Sequence, residues 1–78
     1  MSSVTEELSD ALARDVLVAM DEMGDDRLYM EVAKMLASLS PSMEDGFLTS
    51  MRVRLAERRG REFLNKQLAT YRKAKAGA

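Results

Sequence analysis

The chain has no cysteine, no histidine and no tryptophan, and only one proline in its 78 residues. Without cysteine there are no disulfides and no thiolate chemistry, and without histidine the common zinc sites and imidazole acid–base catalysis are also gone. Aromatic residues are few, at Tyr29, Phe47, Phe63 and Tyr71. No apolar run approaches the ~20 residues that cross a bilayer. The start, MSSVTEELSD, is polar and acidic, with no basic segment leading into an apolar one. The expectation is a cytoplasmic protein.

A chain of this size buries a smaller fraction of its surface than a full domain, so its core needs support. With disulfides and zinc excluded, self-association into a dimer or larger assembly is the support expected here. Charge is distributed unevenly. Residues 1–46 carry three basic side chains against eleven acidic ones, and residues 47–78 carry nine basic against two acidic. Such asymmetry fits a phosphate-binding patch, or pairing of opposite charges within or between chains.

The patterning is helical throughout, and the expected fold class is all-α, a single domain. Ser3 with Glu6 fits a capping box. Val4, Leu8, Leu12, Val16, Ala19/Met20 and Met23 then recur at helical spacing over about 3–23. Gly24 ends that helix, and Asp25 or Asp26 is expected to cap a second over about 26–39, with Leu28, Val32, Met35/Leu36 and Leu39 on its stripe. The short connection implies a helical hairpin. Ser40-Pro41 opens a third helix, running to about 74 and leaving 75–78 frayed. Gly46 leaves a later start near Phe47 open.

This third helix carries two apolar faces. At about 100° per residue, Phe47, Leu48, Met51 and Leu55 share one side, and Gly60, Phe63, Leu64, Leu68 and Tyr71 lie roughly opposite, with Val53 and Ala56 extending the second face backward. Two explanations remain open. A kink or break at 58–61 could turn the C-terminal half toward one core. Alternatively, the helix could be continuous with two partners, its own hairpin on the first face and another protein on the second. On the latter view the partner-binding residues are Ala56, Gly60, Leu64, Leu68 and Tyr71.

Little supports catalysis. No nucleophile has a histidine or cysteine companion, and no glycine-rich loop could hold a phosphate. Asp21, Glu22, Asp25 and Asp26 lack the spacing of a calcium loop and read as caps and solvated charge. The expectation is a non-enzyme with no cofactor, no metal and no small-molecule substrate. Residues 31–48 fail as a helix-turn-helix, because Ser38 replaces an expected apolar residue and Glu44 and Asp45 would face phosphates. The alternative to a protein-binding role is phosphate binding by Arg54, Arg58, Arg59 and Arg61 of a nucleic-acid-associated accessory protein. Against that, the basic side chains spread around the helix and no aromatics interleave among them. Six methionines between residues 20 and 51 suit either an irregular core or an adaptable surface. Met30 falls on the far side of its helix's stripe.

Residues 8–36, with Leu8-Ser9-Asp10 at their start and Arg27 close before Tyr29, resemble the helical hairpin of Sda-type inhibitors of sporulation histidine kinases. The resemblance covers under half of the chain and stops short of the long basic third helix. It implies a small helical protein that binds another protein. The leading expectation is accordingly a regulator or adaptor that acts through protein–protein contacts of amphipathic helices.

Overall fold

The computed structural model describes residues 3–77, and they form three α-helices with no strand: α1 (Val4–Met23), α2 (Leu28–Ala37) and α3 (Pro41–Gly77). Among the described residues no helix is long and apolar enough to cross a membrane.

Local chemistry sets the ends. Ser3 is extended, and its Oγ accepts from the Glu6 amide at 3.1 Å, which satisfies one of the free donors of α1. Gly24 closes α1 at φ 64°, a conformation open to glycine at no steric cost. The next turn departs from expectation, because neither Asp25 nor Asp26 caps α2. The Asp25 Oδ1 accepts from the Arg27 amide at 2.9 Å, two residues on, so it folds the loop and the helix starts only at Leu28. At the far end the Ser40 amide returns to Leu36 O at 2.7 Å, leaving Leu39 outside the helix and 73% exposed. α2 is therefore shorter than the expected 26–39 at both ends. Ser40 caps α3, its Oγ accepting from the Met43 amide at 3.2 Å, and Pro41 takes the first helical position.

α3 is the spine. α1 and α2 each rest on it more than on one another, so the hairpin is held together largely through its shared support. The core is small: Ala13, Val16 and Met20 of α1, Ala33 of α2, and Phe47 and Met51 of α3, flanked by half-buried Leu12, Leu17, Val32, Leu36, Leu48 and Leu55. Leu8, expected on the stripe of α1, is 56% exposed, and its neighbour Ser9 is buried instead. Gly46 supplies the reason. A Cβ there would stand 2.8 Å from Ser9 Oγ and 3.0 Å from Ser9 Cβ, so α1 and α3 meet at two small residues and a leucine would hold them apart. The Ser9 hydroxyl donates to Met43 O at 3.4 Å, which settles its buried oxygen.

No break occurs at 58–61. α3 is unbroken through Gly60 and stays helical through Gly77, including 75–77 of the segment expected to fray, whose last residue, Ala78, lies outside the described residues. One mid-helix glycine costs about 0.5–1 kcal/mol relative to alanine. The arginine, glutamate, leucine and alanine around it are good helix formers and offset that cost. The consequence is an overhang. At 1.5 Å per residue α3 is roughly 55 Å long and α1 roughly 30 Å. The molecule extends 59 Å along its main axis, and its 16.9 Å radius of gyration exceeds the roughly 12 Å of a compact chain this size. Among the methionines, Met20 and Met51 are buried while Met23, Met30 and Met35 are exposed.

Gly46→Ala should lower stability by about 1–3 kcal/mol, because the new methyl collides with Ser9 and overpacks the α1–α3 crossing. Urea unfolding measures it. An unchanged or raised midpoint would show that the two helices do not meet there.

Candidate interaction surface

The ion pairs of α3 decide which of its charges face outward. Arg54 Nη2 lies 2.8 Å from Asp10 Oδ1, and the Ser50 hydroxyl donates to the same oxygen at 2.7 Å while accepting from Arg54 Nε at 3.2 Å. Arg58 grips Asp21 with both terminal nitrogens, at 2.7 and 2.9 Å. This fork geometry matches a carboxylate at two points. One turn further, Arg61 pairs with Glu57 of its own helix at 2.6 Å. Asp10 meets residues 50–54 and Asp21 meets residue 58, so α1 and α3 run in the same direction and α1 ends near Gly60.

These contacts hold two carboxylates below their ordinary range. For Asp10 the largest cause is the Ser50 hydrogen bond, followed by that from Arg54. For Asp21 it is the hydrogen bond from Arg58. Part of the basic charge of the C-terminal half is thus answered by the acids of the N-terminal half. Of the four arginines in the phosphate-binding alternative, Arg54 and Arg58 are engaged in this way, and Arg61 is paired with Glu57 of its own helix. Arg59 is exposed and makes no ion pair among the described residues.

Beyond α1, every described residue from 61 to 77 is exposed. This segment has a definite apolar side nonetheless. Phe63 is 65% exposed, Leu64 52%, Leu68 36% and Tyr71 60%. Ala56 and Gly60, also exposed, continue the face backward to Val53. All five residues of the sequence-based partner face therefore lie on one unbroken, solvent-facing stripe of α3, opposite the Phe47/Met51 side that packs on the hairpin. Gly60 has no role within the chain that demands glycine: its φ is not positive, and a Cβ would meet nothing within 4 Å. Lys75 Nζ sits 5.9 Å from the Tyr71 ring centroid, a cation–π contact at the end of the stripe.

Sequence reasoning missed the N-terminal continuation of this surface. Beside α1, Gly46, Thr49, Ser50 and Val53 of α3 line an open groove with Glu6, Asp10, Asp45 and Arg54. Thr49 follows Gly46 by three residues and precedes Val53 by four, the spacing of one helical face. A polar residue in that place is silent in an apolar pattern. Among the described residues no three metal-ligating side chains come together.

Since Asp10 and Asp21 titrate lower in the folded chain, their contribution to stability is complete above the unfolded carboxylate value of about 3.9. It is lost as pH falls through the lower folded values. Arg58→Gln should flatten the Asp21 part of this loss. Urea midpoints of both proteins, followed from pH 6 downward, should converge below roughly pH 4. A constant gap between the two curves would mean that the pair does not act through Asp21.

No family model matches the chain, and neither a curated protein nor a solved structure matches it, so the likeness of residues 8–36 to the sporulation-kinase inhibitors rests on the quoted residues alone.

Proposed function

We propose that this is a small, non-enzymatic regulatory or adaptor protein of the cytoplasm, acting through protein–protein contacts of its amphipathic third helix. The observation that carries the proposal is the overhang. Residues 61–77 continue α3 past the end of α1 and are all exposed, yet Phe63, Leu64, Leu68 and Tyr71 share one side of the helix. An isolated helix draws little stability from propensity alone and depends on packing an apolar face. A contiguous apolar row rimmed by polar residues is the usual mark of a surface that meets another protein. The hairpin serves to hold the first half of α3, and α3 presents the second half. The competing view, phosphate binding through the arginines, is weakened by the Asp10, Asp21 and Glu57 pairs.

The full chain, immobilised and exposed to lysate of its native cell, should retain a discrete set of proteins that survive nuclease treatment and roughly 0.5 M salt, where exposed charges are largely screened. The Leu64→Glu/Tyr71→Glu double variant should lose them while keeping its helical circular dichroism. Retention that ignores the double variant overturns the proposal. So does recovery of nucleic acid alone, released as salt rises.

A further inference from the structure

The exposed face of α3 is divided by Gly60 into two stretches of nearly equal length. Residues 41–59 are flanked by the hairpin, and residues 61–77 form the overhang. Their far ends are opposite in electrostatic setting. The groove beside the first offers three carboxylates, Glu6, Asp10 and Asp45, against the single guanidinium of Arg54, which already pairs with Asp10. The second carries five basic residues and one acidic. We infer that this face is occupied by a second copy of the chain, packed antiparallel with the two Gly60 residues level with each other. The basic overhang of each copy then lies along the acidic groove of the other.

Length, charge and apolar phase agree on this arrangement. Antiparallel pairing about residue 60 sets 60 + n of one copy level with 60 − n of the other. Leu64 comes level with Ala56, Tyr71 with Thr49, and Arg72 and Lys75 with residues 48 and 45, near Glu6 and Asp45. At Leu64/Ala56 and Tyr71/Thr49 a larger side chain of the overhang thus meets a smaller one of the covered half. Gly60 falls at the two-fold axis, where a missing Cβ permits the closest approach of two backbones. The contact is isologous and closes on itself as a dimer, with no free end to propagate. Parallel pairing would instead set overhang against overhang and juxtapose like charges, which disfavours it. The inference rests on the preceding proposal in taking the overhang as a protein-contact element, and it names the occupant.

Because the chain has no cysteine, introduced ones report the geometry directly. Light scattering of the purified full chain at micromolar concentration should give twice the monomer mass, and Arg72→Glu/Lys75→Glu should weaken the dimer by roughly tenfold or more. Gly60→Cys should cross-link to itself on mild oxidation. A mixture of Thr49→Cys and Tyr71→Cys chains should yield the mixed disulfide. Tyr71→Cys alone should not cross-link, since the two sites would be roughly 33 Å apart along the axis. A monomeric wild-type chain, or ready self-linking of Tyr71→Cys, overturns the pairing. If that monomer still retains other proteins through Leu64 and Tyr71, the pairing falls and the adaptor proposal stands. If the dimer forms as described and the Leu64→Glu/Tyr71→Glu variant leaves lysate retention unchanged, the adaptor proposal falls and the pairing stands.

Discussion

A helix of 37 residues cannot be covered by neighbours of 20 and 10. α1 ends at Met23, close to the level of Gly60, and α2 is only half as long as α1, so the last 17 described residues of α3 are all exposed. Everything distinctive about the molecule follows from this mismatch. Its core is restricted to the first half of α3, around Phe47 and Met51. Its elongation is the projecting half, and its most contiguous exposed apolar side is the one that projects.

Close packing at one end makes the mismatch possible. Ser9 and Gly46 let α1 approach the base of α3, and the Asp10–Ser50–Arg54 and Asp21–Arg58 contacts tie the same two helices together further along. Both ion pairs are exposed, and such pairs add little to stability one by one. Their larger effect is on which charges remain. They draw acidic and basic residues of the covered segment into one another, and leave the overhang with its lysines and distal arginine outward. The acids of α1 thereby lie beside the first part of α3, and the overhang keeps five basic residues against one acidic.

Much of this was legible before any coordinates. The three helices follow from periodicity and from punctuation at Gly24 and Ser40-Pro41, whose effects are local. The second stripe, from Ala56 to Tyr71, was legible because apolar side chains at helical spacing declare their face wherever the helix goes. Less could be read at the crossing of α1 and α3. Apolar periodicity favours Leu8 over Ser9, while contact distance favours the smaller residue, and only packing decides between them. Asp25 was misread as a cap for a comparable reason: an aspartate before a helix can fold its own turn as readily as it can cap.

The sequence alone thus determined the helical class, the helix starts at Ser3 and Ser40, the uneven distribution of charge and the two apolar faces of α3. These depend on interactions within a turn or two, or on composition. Tertiary structure decided that α3 runs through Gly60, that α1 stops beside it, and that the Phe63–Tyr71 side is left in solvent. Those outcomes depend on where one helix ends relative to another, and helix–helix register is set by packing between residues more than thirty positions apart.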